Sequence, residues 1–207
     1  MIKPILFNTD MVRAIMDGRK TVTRRVMKPQ PVMDADRMWQ WKDCQWMDGG
    51  LGFPASGIED YAPCCPGDIL YVRETWTVWN GNYEYKADVD SGYGPFCSNC
   101  TIDICTGGCN SIIKWRPSIH MPREAARIFL RVTDVKVERL QNIGDCTKEG
   151  ITPGRHETAH MNDYDERCDF KFLWDSTIKP EDRALYGWEA NPWVFVIGFE
   201  RIDREEA

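Results

Sequence analysis

From Ile128 onward the chain alternates, with Ile128, Leu130 and Val132 on one side and Arg127, Arg131 and Thr133 on the other. That period of two belongs to a β-strand with one buried face, because successive side chains of a strand point in opposite directions. Other segments agree. "NPWVFVIGFERI", from Asn191, reads as a buried strand, and "PGDILYVRETWTV" as a turn followed by a strong strand, with "YEYKAD" as its hairpin partner. Helical signals are few and short. Asn8 or Thr9 caps a helix running to about Asp17, whose apolar stripe is Met11, Val12, Ile15 and Met16 and which Gly18 ends. A second helix is expected around Tyr164 to Ser176, and "DCTKEGI" reads as a short capped helix ending at Gly150. Strands wrapped by a few short helices define an α+β fold, and a small mixed β-barrel with short flanking helices is its natural architecture.

The chain has 207 residues, enough for one substantial domain or for a smaller core carrying elaborate insertions. The second alternative fits: a single domain over residues 1–207 with insertions at 29–66, 91–112 and 152–165. The first of these is punctuated by Pro29, Pro31, Pro54, Pro63 and Pro66 and holds Trp39, Trp41 and Trp46, so it is expected to be irregular. Its tryptophans are expected to cover a core rather than to stack on bases. There is no internal repeat.

A net charge of −6 argues against a general nucleic-acid coat protein, since such binding relies on neutralising phosphates. The cations are nevertheless clustered. Residues 1–28 hold Lys3, Arg13, Arg19, Lys20, Arg24, Arg25 and Lys28 against only Asp10 and Asp17, and residues 116–139 are also basic. A basic cleft on an acidic protein is therefore expected. No apolar run approaches the roughly 18 residues needed to span a bilayer, and the N-terminus lacks the pattern of an export signal, so a cytoplasmic location with no membrane partner is expected. Nine cysteines, an odd number, fit reduced thiols or a metal site better than a disulfide framework.

The first basic cluster contains "GRKTVTRR", Gly18 to Arg25. These residues resemble the signature of ASCH domains, compact PUA-like barrels related to RNA-modifying proteins, written as glycine, any, lysine, any, any, glutamate, any, arginine. Gly18, Lys20 and Arg25 match. Thr23 stands where the glutamate is usual, as in the small bacterial N4-acetylcytidine amidohydrolases, in which the lysine, the second threonine and a later glutamate are catalytic. The resemblance thus implies Lys20 and Thr23 as catalytic residues, with Glu149 as the later carboxylate and Glu74 in "VRETW" as its rival. "KPILFNTDMVRAI", "YVRETW", "RPSIHMPR" and "NPWV" are similar to longer ASCH proteins of tailed bacteriophages and prophages, whose activity is generally unassigned. The implied partner is a modified nucleoside or single-stranded RNA, and no cofactor is required for that catalysis. A non-catalytic RNA-binding module using the same cleft, with Arg19, Arg24 and Arg25 contacting phosphates, a ribonuclease and a phage accessory protein acting through protein partners are the alternatives.

Physical chemistry sets conditions on the catalytic reading. A threonine hydroxyl needs an adjacent base, and a lysine serves only if burial or neighbouring cations lower its pKa; Arg19, Arg24 and Arg25 are such cations. Residues 20 and 23 would face opposite sides of a regular strand, so they converge only if Lys20 stays in the turn after Gly18. The bland alternative is a solvated helix end, with cations placed favourably near the negative pole of its dipole.

Two further groups stand out. In "RPSIHMPR" the prolines restrict the backbone, which presents Arg116, Ser118, His120 and Arg123 to a phosphate or base, or simply orders a barrel-rim loop. "CSNCTIDICTGGC" places Cys97, Cys100, Cys105 and Cys109 close together, the first pair at the spacing of a zinc knuckle. A structural zinc, with Cys64, Cys65 or His120 as substitute ligands, and free thiols are the two readings.

Overall fold

A computed structural model describes residues 1–47, 61–79, 81–89, 114–151 and 166–207. The cysteine cluster from Cys97 to Cys109, the insertion expected at 91–112 and the one expected at 152–165 lie outside the described residues. The fold is mixed α+β, mostly sheet with few helices. The strands are β1 (Ile2–Leu6), β2 (Val22–Val26), β3 (Val32–Met33), β4 (Met38–Trp41), β5 (Cys44–Met47), β6 (Ile69–Arg73), β7 (Trp76–Trp79), β8 (Asn82–Tyr85), β9 (Phe129–Arg139) and β10 (Trp193–Ile202). The helices are α1 (Thr9–Met16), α2 (Glu166–Thr177) and the single-turn α3 (Arg183–Tyr186). Among the described residues no helix is long and apolar enough to cross a membrane.

The chain divides into two compact units, Met1–Gly18 with Ile69–Leu130 and Arg201–Ala207, and Arg19–Asp68 with Arg131–Glu200. In the first unit β1 lies parallel to β6, with Ile5 opposite Val72. Val72 N–H in turn donates to the Ile128 carbonyl, 3.0 Å away, just before β9. Helix α1 starts as expected: the Asn8 side chain accepts from Met11 N–H at 2.9 Å, satisfying one of the orphan donors of a helix N-terminus. Its buried face is Val12, Ala14 and Ile15. The expected long strand through "ILYVRETWTV" is broken into β6 and β7, because Glu74 N–H donates to the Met121 sulfur at 3.2 Å instead of extending a ladder. β7 and β8 form the expected hairpin, with Trp76 opposite Tyr85. Trp76, Met121, Ala125, Ala126, Phe129 and Ile202 make the core of this unit.

In the second unit β10 pairs antiparallel with β2, placing Val196 opposite Arg24 and Ile197 opposite Thr23. The core on one side combines Leu140, Ile143, Cys146, Val194 and Val196 with Phe170 and Trp174 of α2. The segment expected to be irregular instead opens with a three-stranded meander, β3-β4-β5. Its turns carry no glycine. Arg37 and Lys42 adopt positive φ, 60° and 52°, and Asp34 Oδ1 closes the first turn by accepting from Asp36 and Met38 N–H at 3.0 and 2.8 Å, the local bond that suits aspartate to turns. Trp39 and Trp41 are buried. They meet Trp193 and Phe195 of β10 edge-on, at ring separations of 5.8 and 5.9 Å, so these two do cover a core.

Candidate active site at Lys20 and Glu149

Gly18 adopts φ +73°, with open space where a Cβ would stand; it is needed for its backbone conformation and not for a close contact. The chain leaves α1 there, so Lys20 precedes β2 and is not held to the strand's alternation. Lys20 makes an isolated bridge with Glu149, and the Lys148 carbonyl accepts from Thr21 and Val22 N–H at 2.9 and 3.1 Å. The stretch expected as a short helix, "DCTKEGI", is therefore a turn alongside the start of β2. Asp145 does act as a cap, its Oδ1 accepting from Thr147 N–H at 3.0 Å. Gly150, at φ +84°, takes the chain out again. This turn carries Glu149 to Lys20.

The Lys20 ammonium is fully buried, and Nζ donates to the Val22 carbonyl at 2.7 Å, the Glu149 carbonyl at 2.9 Å and Glu149 Oε2 at 2.9 Å. An ammonium has three donors, and these three acceptors match them. The other oxygen, Oε1, accepts from Arg24 Nη1 at 2.5 Å. Arg24 Nη2 continues to Glu138 Oε1 at 2.6 Å, and Glu138 Oε2 lies 3.5 Å from Lys136 Nζ. A line of alternating charges thus runs from buried Lys20 to Lys136, whose side chain is 54% exposed.

Burial pushes the Lys20 pKa down, Glu149 opposes this by its charge and hydrogen bond, and Arg25 and Arg24 push it down further. The net direction is down, as a lysine base requires. Burial also lowers the Arg25 pKa, against the charges of Glu149 and Cys64.

Thr23 is 2% exposed, on β2. By strand alternation it shares a face with Arg25, while Arg24 takes the opposite face with Val22 and Val26; the Arg24 guanidinium lies 5.9 Å from the Phe170 ring centre. Arg24 is 9% exposed and bound to two carboxylates, which leaves it a framework role where a phosphate contact was expected. Arg19 is exposed and donates to the Gly150 carbonyl at 3.0 Å.

Glu74 is engaged elsewhere. It is 1% exposed, and both its oxygens accept from Arg127, at 2.9 Å from Nε and 3.1 Å from Nη2, while Nη1 reaches Asp88 at 2.7 Å. The Arg127 guanidinium also stacks 4.0 Å from the Tyr85 ring centre. Burial pushes the Glu74 pKa up, partly offset by Arg127. Of the two rival carboxylates, Glu149 is the one that meets Lys20.

Arg116 is exposed, with its guanidinium 4.9 Å from the Trp76 ring centre and its backbone bridged to Trp76. Ser118 and exposed His120 bound a 3-10 turn, and exposed Arg123 begins the next. Arg123 also lines an open cavity of about 370 Å³ with Glu124, Phe129, Arg204 and Ala207. Cys64 is buried and Cys65 half-buried, and neither forms a disulfide among the described residues. Among the described residues no cluster of three or more His, Cys, Asp or Glu is arranged to hold a metal.

Sequence reasoning missed Glu138, Lys136 and Arg127. Glu138 had a signal: a carboxylate just after the buried Val135 and Val137 of β9, where a second buried strand must approach. No family model, curated protein or solved structure matches the chain.

Proposed function

We propose that the chain is an amidohydrolase of the ASCH type, on a PUA-like barrel, that removes the acyl group from N4-acetylcytidine or a similar acylated nucleobase. The observation that carries this reading is the buried Lys20 ammonium 2.9 Å from Glu149 Oε2, in surroundings that lower the lysine pKa. Neutral Lys20 takes the Thr23 hydroxyl proton as Oγ1 bonds to the acyl carbon. The carbon–nitrogen bond then breaks, and the departing amine receives that proton from Lys20, which is thereby neutral again. Water, deprotonated by the same base, cleaves the threonyl ester, releasing the carboxylic acid and restoring Thr23. Glu149 positions the lysine throughout.

Purified protein incubated with N4-acetylcytidine is expected to release cytidine, followed by chromatography, and Lys20→Ala to abolish release. Absence of turnover by the unaltered protein, or full turnover after Lys20→Ala, would sink the reading.

The exposed Arg116 stacked on Trp76, with His120 and Arg123 in the following turns, favours a second reading: a module that binds single-stranded RNA without cleaving it. It predicts affinity that falls steeply with salt. Weak or salt-insensitive oligonucleotide binding counts against it, and fragmentation of the RNA would indicate a ribonuclease instead.

A further inference from the structure

We propose that Glu138 is a positioning residue for this site, acting through Arg24 to fix the Glu149 carboxylate and to balance the positive charge around Lys20. The proposal rests on the reading of Lys20 and Glu149 as the reactive pair, and its test reads Lys20 directly so that the two stand or fall separately.

Glu149 is the immediate counter-ion of two buried cations, giving Oε2 to Lys20 and Oε1 to Arg24, and Arg25 adds a third positive charge that acts on both members of the Lys20–Glu149 pair. One carboxylate cannot balance this. Arg24 stands beside the Phe170 ring on the apolar side of β2, where an unpaired cation is costly. Among the described residues its buried Nε–H has no hydrogen-bond partner, and the guanidinium is held through Nη1 and Nη2. Glu138 holds Nη2. Without that bond Arg24 would pivot about Nη1 or take both oxygens of Glu149, drawing the carboxylate from Lys20.

Glu138 also has the exposure a regulator of charge needs. Its side chain is 16% exposed, compared with 4% for Glu149, and its second oxygen faces Lys136. It is therefore less deeply buried than Glu149, and it reaches the site through Arg24. Among the described residues, the charged groups that act on Lys20 include Glu149 from the turn and Arg24 and Arg25 from β2; Glu138 faces Arg24 and Lys136. From α2 the neighbour is the uncharged Phe170 ring, next to buried Asp169.

The experiment is an NMR titration of the Lys20 side-chain nitrogen in the full chain, comparing the unaltered protein with Glu138→Gln and Lys136→Met. Glu138→Gln is expected to lower the Lys20 midpoint by about half a pH unit or more, and to shift the alkaline-rising limb of kcat/KM for N4-acetylcytidine by the same amount. Lys136→Met, which removes a competitor for Glu138, is expected to raise the midpoint slightly. Should Glu138→Gln fail to fold, the Lys136→Met titration decides. An unchanged Lys20 midpoint in a folded variant overturns the positioning role. A shifted midpoint without any turnover upholds it and overturns the hydrolase reading.

Discussion

Each unit sets an arginine between two carboxylates, yet the two arrangements differ in what is left over. In the first, Arg127 meets Glu74 and Asp88, and its side chain is 24% exposed while that of Asp88 is 44% exposed. The charges close on themselves and open to water. In the second, Arg24 meets Glu138 and Glu149, but Glu149 must also serve Lys20, and all three side chains of the Lys20–Glu149–Arg24 run are at most 7% exposed. A fork of parallel bonds between arginine and carboxylate is a fastening. A lysine buried among excess cations is held in its charged form against the local field, the condition under which a base becomes available near neutral pH.

The largest effect expected from this difference is on stability. Glu149→Gln leaves Lys20 and Arg24 buried with a neutral partner and should cost about 3–5 kcal/mol in denaturant unfolding. Glu74→Gln should cost less, about 1–3 kcal/mol, because Arg127 can turn toward Asp88 and solvent. Equal losses, or the reverse order, break the comparison.

The pH dependence sharpens it, because the signs are opposite. Lys20 has a folded-state pKa below its ordinary 10.5, so the unfolded chain binds more protons between the two values and stability rises with pH through that window. Glu74 has a folded-state pKa above its ordinary 4.5, so the folded chain binds more protons there and stability falls as pH rises from 4.5 through the raised value. Unfolding curves collected across pH should lose the alkaline rise in Lys20→Met and the acid-side fall in Glu74→Gln. If each variant removes the other's slope, or neither, the assignment is wrong. The smallest effect belongs to the surface pair Arg131–Glu200, 3.1 Å apart with side chains 40% and 55% exposed: Arg131→Ala should change stability by less than about 1 kcal/mol.

What the sequence disclosed follows from how local each signal is. α1, its Asn8 cap and its Gly18 stop depend on neighbours a few residues apart, and β9 and β10 announce themselves by periodicity; all were readable. The meander β3-β4-β5 was hidden because its turns place Arg37 and Lys42 at positive φ, where glycine or asparagine is the usual marker. The break between β6 and β7 was hidden because the Met121 sulfur that receives Glu74 N–H comes from a distant part of the chain. Within the site, Lys20 and Glu149 were suggested by the motif resemblance, and the turn that brings them together was misread as a helix, since Asp145 caps either structure equally well. Arg24 was read as a cation of the cleft, open to a phosphate. A cation between Val22 and Val26 on a strand looks solvated unless one knows that α2 covers that face, and Glu138 acquires meaning only once Arg24 is seen to be buried.

The contrast between a closed fastening and a poised lysine comes to a single chemical question, whether Thr23 of β2 accepts an acyl group. Acid quenching of the full chain during turnover of N4-acetylcytidine, followed by peptide mass spectrometry, asks it directly. The account predicts an acetyl ester on Thr23 that is absent from Thr23→Val and that accumulates when hydrolysis is slowed. Cytidine release with no modified Thr23, or release at an unaltered rate by Thr23→Val, would contradict it.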